Sequence, residues 1–324
     1  MRAIEVAALG GPEVLTLVDR PIPKVGPDTI LVKTEAVGVN FIDTYYRSGL
    51  YPQALPFIIG NEVCGTAVEV GAKVSTVRVG DRVVSADAQG TYAEYCLAPA
   101  ALTATVPDGV TSEIAAAALL KGLTAHLLTH SVYQVEDGDV VLLHAGAGGV
   151  GLILTQFAVN MGGRVLTTVS TPEKAALSRA AGATDVLDYP ADPAEFGGQI
   201  RTLTGGEGVV VAYDGVGKST FDASLASLAV RGTLALYGAS SGPVPPLDPQ
   251  RLNAAGSVYL TRPSRIHFVR TYSEFAWRTG ELMSAIESGA ISVTVGDRYE
   301  LSDAVQVHRD LESRKTHGSV ILTP

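Results

Sequence analysis

Along residues 30–37, Ile30, Val32, Thr34 and Ala36 fall on one side and Lys33 and Glu35 on the other. That period of two predicts a half-buried strand. Val63 to Val70 reads as a second strand. The Gly80-Asp81 turn leads into Arg82-Val83-Val84, and Thr91 to Leu97 reads as another strand. Short strands broken by glycine and proline predict a barrel-like β domain. Residues 112–120, SEIAAAALL, predict a helix with Thr111 or Ser112 as its cap.

Near residue 123 the pattern changes. Strand-like runs at Val140–Leu143, Arg164–Val169, Val209–Tyr213, Thr233–Tyr237 and Ser257–Leu260 now alternate with helical ones. The helical runs are Val150–Met161, Pro172–Ala181 and Thr220–Ala229. Such βα alternation predicts a doubly wound parallel sheet with helices on both faces. After Arg262-Pro263 it stops. One amphipathic helix over about 273–288 and a strand-like end, Gly318–Leu322, follow; periodicity leaves open which domain they join.

Composition narrows the classes. At 46% hydrophobic and 18% charged residues the chain is not disordered. A formal charge of −9 argues against non-specific nucleic-acid binding. The two cysteines, Cys64 and Cys96, form no C-x-x-C, which argues against a disulfide framework or a structural zinc site. The N-terminus does not read as a signal peptide, and no apolar run is long enough to span a membrane. The expectation is a soluble, cytoplasmic protein of two domains.

The sharpest local signal is 140-VVLLHAGAGGVG-151, in which Gly146, Gly148 and Gly151 fit G-x-G-x-x-G between an apolar strand and an apolar helix. Glycines there let backbone approach a pyrophosphate, and the helix N-terminus offers it free N–H groups. Dinucleotide folds that take NAD place an acid at the end of the second strand. Here Ser170 holds that place and Lys174 follows four residues on. A hydroxyl with a nearby ammonium favours the 2′-phosphate of NADPH over NADH.

The six histidines include no H-E-x-x-H; His126 and His130, four apart, read as an ordinary pair on one helix face. The segment 38-GVNFIDTYYRSGLYP-52 is denser. It carries Asn40, Asp43, Tyr45, Tyr46, Arg47 and Tyr51 after a predicted strand. Tyr45 and Tyr51 suit the wall of a pocket for a flat ligand.

These stretches, with 10-GGPEVL-15, 60-GNEVCG-65, 79-VGDRV-83, 120-LKGLTA-125, 212-AYDGVG-217, 257-SVYLTRPS-264 and 312-ESRKTHGS-319, resemble the zinc-free quinone oxidoreductases nearly end to end. That family is the zeta-crystallin-like branch of the medium-chain dehydrogenase/reductases. The resemblance implies a GroES-like catalytic domain, residues 1–122 and 265–324, and a Rossmann NADPH-binding domain, residues 123–264. It implies no metal, since Asn61 stands where zinc-dependent relatives have the histidine of G-H-E.

By the same resemblance, Asn40 and Asp43 lie beside the nicotinamide, and Lys121 and Thr124 near the phosphates and ribose. Gly149 and Val150 join the pyrophosphate loop. Ser170, Lys174 and Tyr189 serve the 2′-phosphate and adenine. Tyr237, Gly238 and Ser240 mark the end of the fifth strand, and Arg314 reaches the cofactor from near the C-terminus. Leu127 departs from the tyrosine of close bacterial relatives and is left out of the site.

The implied activity is NADPH-dependent reduction of quinones without metal. The alternatives are an enal or enone double-bond reductase and an NADPH-binding crystallin-like or RNA-binding protein. The short apolar segment Gly256–Leu260 reads as an edge strand of the Rossmann sheet, so a homodimer through that edge is expected.

Overall fold

In the computed structural model, which describes residues 1–324, the chain as far as Thr105 forms eight strands. They are β1 (Arg2–Val6), β2 (Leu15–Asp19), β3 (Thr29–Val39), β4 (Phe57–Ile58), β5 (Glu62–Val70), β6 (Arg82–Ser85), β7 (Tyr95–Pro99) and β8 (Thr103–Thr105). Helix α1 (Phe41–Ser48) follows β3, and α2 (Ser112–Leu127) follows β8. The alternation of 30–37 is realised on β3, where Lys33 and Glu35 are exposed and the apolar positions buried. β3 pairs antiparallel with both β5 and β7.

The strand expected from Thr91 begins only at Tyr95. Gly90 turns the chain in the left-handed region, and Ala93 N donates to Thr91 O at 2.7 Å, a tight turn that touches β1 by a single bridge. The helix expected at 112–120 continues to Leu127, since no proline or left-handed glycine stops it.

The second stretch alternates as expected. β9 (Val140–His144), α3 (Gly149–Asn160), β10 (Arg164–Val169), α4 (Pro172–Ala180), β11 (Asp185–Asp188) and α5 (Pro193–Leu203) come first. Then come β12 (Val209–Asp214), α6 (Phe221–Ser227), β13 (Leu228–Leu236), α7 (Gln250–Ala254) and β14 (Tyr259–Thr261). All neighbours in this sheet are parallel, in the order β11-β10-β9-β12-β13-β14. That is the doubly wound dinucleotide-binding order. Leu142, Leu166, Ala212 and Leu234 from four adjacent strands pack with Phe196, Ile200 and Phe221 of the covering helices.

Three details differ from expectation. β11 and α5 carry too weak a pattern to have been expected: β11 has four residues and none is fully buried. α6 stops at Ser227, because Leu228 turns into extended geometry. β13 therefore starts five residues before the expected Thr233, with Arg231 at φ 61° where its register against β12 shifts.

The tail holds α8 (Tyr272–Glu287), β15 (Val295–Glu300), α9 (Ala304–Glu312) and β16 (Ser319–Thr323). β16 pairs antiparallel with β3 and parallel with β15. Ala304 and Val307 of α9 share a core with Ile4, Val37 and Val320. By its contacts the chain divides into two units. One comprises Met1–Leu123, Val269–Gly289 and Val293–Pro324; the other comprises Thr124–Phe268 and Ala290–Ser292. No helix is long and apolar enough to cross a membrane.

Candidate functional site

In the unit with the parallel sheet, the expected residues gather at the carboxyl ends of four of its strands. Gly146 to Gly151 follow β9; Ser170 and Lys174 follow β10; Tyr189 follows β11; Tyr237, Gly238 and Ser240 follow β13. Sheets of this order bind ligands along that edge, at the point where strand order reverses between β9 and β12.

The glycine loop is a cradle that side chains would fill. Ala145 adopts φ 59°, Gly146 N donates to Thr168 O at 3.0 Å, and Gly148 caps α3. A Cβ at Gly146 would run into Thr167 and Ser178, and one at Gly151 into the Ala145 carbonyl. Gly149 and Val150 are half-buried, and the first turn of α3 has N–H groups without intrahelical acceptors. These residues fit a pyrophosphate. Across the neighbouring strand, Ser170 is exposed. Thr171 caps α4 by accepting from Lys174 N at 3.3 Å. The Lys174 side chain is thus carried in the first turn of a helix, where an anion is favoured. The Tyr189 ring lies nearly parallel to that of His144, 6.4 Å away.

A buried polar network that sequence reasoning missed braces this edge. Asp214 accepts from Val216 N, Gly217 N, Thr220 Oγ1 and Ser224 Oγ, each at 2.8–2.9 Å. His144 bridges Ser224 Oγ at 3.0 Å and Thr168 Oγ1 at 2.8 Å. Burial pushes His144 below its ordinary value, so it stays neutral. Because Ser224 donates to the carboxylate, His144 Nε2 donates to Ser224 and its Nδ1 accepts from Thr168. Serine thus sits between histidine and aspartate, buried from any substrate, an order that ties β9, β10, β12 and α6 together and is not that of a nucleophile. Asp214 O also accepts Tyr237 N at 2.9 Å; a Cβ on Gly238 would run into the Gly215 carbonyl, and one on Gly215 into the Tyr237 ring. The segment 212-AYDGVG-217 was the only sequence signal for it.

In the barrel unit, Asn40 and Lys121 are drawn together by Glu62, another residue not anticipated, and Asp43 joins them through Asn40 N. Glu62 is fully buried. Its Oε2 accepts from Asn40 Nδ2 at 2.8 Å and Lys121 Nζ at 2.9 Å, and its Oε1 from Leu120 N at 2.6 Å. Asp43 Oδ2 accepts Asn40 N at 2.9 Å, closing the start of α1, while Asp43 Oδ1 is buried without a partner. Burial, against its hydrogen bonds and Lys121, raises Asp43 to about 7.

Tyr45 and Tyr51 are half-buried, with ring centroids 5.3 Å apart, edge to face. Phe41 and Tyr46 extend the cluster at 5.6 and 5.7 Å. Thr124 is half-buried in α2, and Arg314 is exposed just past α9 at φ 59°.

The cluster around Glu62 does not fit zinc. Its carboxylate already has an ammonium counterion and two further donors, and Asn61 reaches toward Ala88 O at 3.4 Å. Both thiols are buried, and burial pushes each up to about 12, so neither offers a thiolate.

Residues 26–108 match the alcohol dehydrogenase GroES-like domain and residues 149–277 the zinc-binding dehydrogenase family. A quinone oxidoreductase of Pseudomonas aeruginosa is 40% identical over 325 residues, covering 100% of this chain and 99% of that protein. This chain belongs to the quinone oxidoreductase family of the medium-chain dehydrogenase/reductases. The resemblance carried by the motifs therefore holds. A mycobacterial protein solved in complex with NADPH has a TM-score of 0.99 to it at 67% identity, with 100% of both chains covered. A 2-haloacrylate reductase of Burkholderia sp. is 35% identical, covering 97% of this chain and 96% of that protein.

The cradle generates a prediction. Gly151→Ala forces a methyl against a backbone carbonyl, whereas at Gly148 the nearest atom to a Cβ is Ala145 O at 3.3 Å. Gly151→Ala should cost about 1–3 kcal/mol and lower the melting temperature of the ligand-free protein more than Gly148→Ala does. Equal melting temperatures for the two variants would show that close approach does not constrain the loop.

Proposed function

We propose that this protein is an NADPH-dependent quinone oxidoreductase that works without a metal. The reading is carried by the glycine cradle with Ser170 and Lys174 beside it, in a chain 67% identical to a protein that binds NADPH. Gly146, Gly148, Gly149, Val150 and Gly151 hold the pyrophosphate, and Ser170, Lys174 and Tyr189 hold the 2′-phosphate and adenine. Tyr237, Gly238 and Ser240 line the cofactor's path, and Asn40 and Asp43 orient the nicotinamide. Lys121, Thr124 and Arg314 supply further contacts. Residues 1–122 and 265–324 act as the catalytic domain and 123–264 as the cofactor domain. Bound NADPH supplies a hydride; Tyr45 and Tyr51 present aromatic faces to the acceptor. We place the protein in the cytoplasm, with no nucleic-acid or membrane partner.

The relative that reduces 2-haloacrylate supports a second reading, reduction of an activated carbon–carbon double bond. NADPH oxidation measured in parallel with an ortho-quinone, a para-quinone and an unsaturated aldehyde separates the two. Turnover of the quinones alone is expected; turnover of the aldehyde alone would replace the first reading by the second. No turnover of any, with NADPH still bound, would favour a binding protein, and retention on an RNA column would then decide its class.

Cofactor choice is tested at Lys174. Losing a hydrogen bond to a charged group costs about 1.5–3 kcal/mol, or about tenfold to a hundredfold in affinity. Lys174→Ala should weaken NADPH by that factor and leave NADH nearly unchanged in a fluorescence titration. An equal loss for both nucleotides would remove Lys174 from the phosphate site.

The aromatic cluster is tested by Tyr45→Ala and Tyr51→Ala. Each ring pair contributes about 0.5–1.5 kcal/mol beyond its area, so quinone turnover should fall about threefold to tenfold while NADPH affinity holds. Unchanged quinone kinetics in both would make the cluster structural.

β14 is a three-residue edge strand with Tyr259 exposed at 61%, and the nearby β13 exposes Val230 at 75%. We therefore expect a homodimer through this edge. A monomer in light scattering at working concentration would exclude it.

A further inference from the structure

Behind α1 a chain of buried polar side chains leads from Asp43 through Tyr92 and His308 to Arg47, and the last three have no part in the proposed turnover. Tyr92 Oη lies 3.1 Å from Asp43 Oδ2 and 3.2 Å from His308 Nε2. His308 Nδ1 lies 2.9 Å from Arg47 Nη1, and Arg47 Nη2 donates to Glu312 Oε1 at 2.6 Å. Asp43, Tyr92, His308 and Arg47 are all buried; the Glu312 side chain, at 35% exposure, alone meets solvent. The chain gathers β3's following helix, the turn before β7 and α9 around one point, from residues more than two hundred positions apart.

The direction of every hydrogen bond in it is determined. Guanidinium only donates, so His308 Nδ1 must accept. Burial and the Arg47 charge push His308 down to about 3, so the ring is neutral and its one proton sits on Nε2. That proton goes to the Tyr92 oxygen. The Tyr92 hydroxyl is then left one acceptor, Asp43 Oδ2. The chain is not a proton wire from the surface, because Arg47 cannot release a proton.

We propose that Arg47, His308 and Tyr92 are positioning residues that aim one fixed hydrogen bond at Asp43 Oδ2 and hold it as the carboxylate that closes the N-terminus of α1. Its consequence for turnover rests on the quinone reading, since α1 carries Tyr45 and Tyr46. Asp43 and Arg47, one turn apart, form the buried face of α1; Tyr45 and Tyr46 remain half-exposed.

Asp43 titrates near 7 because burial opposes its charge; the Asn40 N and Tyr92 hydrogen bonds and Lys121 pull it down, and Glu62 pushes it up. Beyond Tyr92 lie the neutral His308 ring and the charged pair Arg47 and Glu312. Removing the Tyr92 hydroxyl removes a bond that favours the charged form, so Asp43 must titrate higher. As pH falls through that higher value, the carboxylate that accepts Asn40 N and Tyr92 Oη is neutralised, and activity is lost.

The experiment follows the carboxyl carbons of aspartate by carbon NMR through pH 5–9 in the full chain, comparing wild type, Tyr92→Phe, His308→Gln and His308→Leu. The Asp43 resonance, assigned by its absence in Asp43→Asn, should shift its midpoint up by about one to two units in Tyr92→Phe. The acid limb of kcat/KM for a quinone should move with it. Glutamine at 308 can still accept from Arg47 and donate to Tyr92, so His308→Gln should stay near wild type and His308→Leu should follow Tyr92→Phe. An unmoved Asp43 midpoint in Tyr92→Phe overturns the proposal, as does equal behaviour of the glutamine and leucine variants. Should His308→Leu fail to fold, the near-isosteric Tyr92→Phe decides alone. If quinones are not substrates, the NMR arm still tests the chain.

Discussion

A carboxylate with no access to water, Glu62, is the constraint on which the barrel unit's candidate site depends. An unpaired buried charge costs several kcal/mol, and the cost is offset only when charge and lone pairs are both answered. Here three donors answer it: the Lys121 ammonium, the Asn40 amide and the Leu120 backbone. Those donors come from α2 and from the residue that caps α1, so satisfying one side chain on β5 fixes both helices. Gly38 completes the arrangement, since a side chain there would occupy the space of the Glu62 carboxylate and of Ala116 O.

With its N-terminus fixed, α1 can do two jobs at once. Eight residues give it little more than two turns, too few to be stable in isolation. Asp43, Thr44 and Arg47 are spent on anchoring, and the helix ends at Gly49 in the left-handed region (φ 82°). The aromatic residues on the other side are therefore placed by polar interactions behind them rather than by their own packing. The parallel-sheet unit shows the same division: Asp214 and His144 are wholly buried and hold still the loops whose backbone faces outward.

Most of the architecture was legible because its signals are local. A strand, four glycines and the start of an apolar helix within twelve residues leave little choice of structure at 140–151, and βα alternation then implies a parallel sheet. Elements whose stability comes from elsewhere were not legible. β11 has no fully buried residue, and α9 is stabilised by the core it shares with β1, β3 and β16. The same distinction divides the site. Asn40, Asp43, Tyr45 and Tyr51 stand in one conspicuous segment. Glu62 stands within 60-GNEVCG-65, but its donors lie 22, 58 and 59 positions away, so nothing local marks it. Tyr92 and His308 were invisible: each is an isolated residue whose meaning comes from contacts 49 and 261 positions away in sequence.

On the proposed reading, the chemistry itself lowers the need for a Lewis acid. Hydride addition to a ketone leaves an alkoxide whose conjugate acid resembles water, near pKa ~16, an anion that usually requires a metal or a strong donor. Hydride addition to a quinone leaves a phenolate whose conjugate acid resembles tyrosine, near pKa ~10. Six units in acidity correspond to about 8 kcal/mol less anion to stabilise. What the protein must then supply is orientation of acceptor against nicotinamide and exclusion of water, both of which depend on rigidity. A buried ammonium–carboxylate pair, a capped short helix and an aromatic wall provide rigidity. On the proposed reading, the polar residues around Glu62 and Asp43 replace the work of a metal not by withdrawing electrons but by fixing where the reacting groups lie.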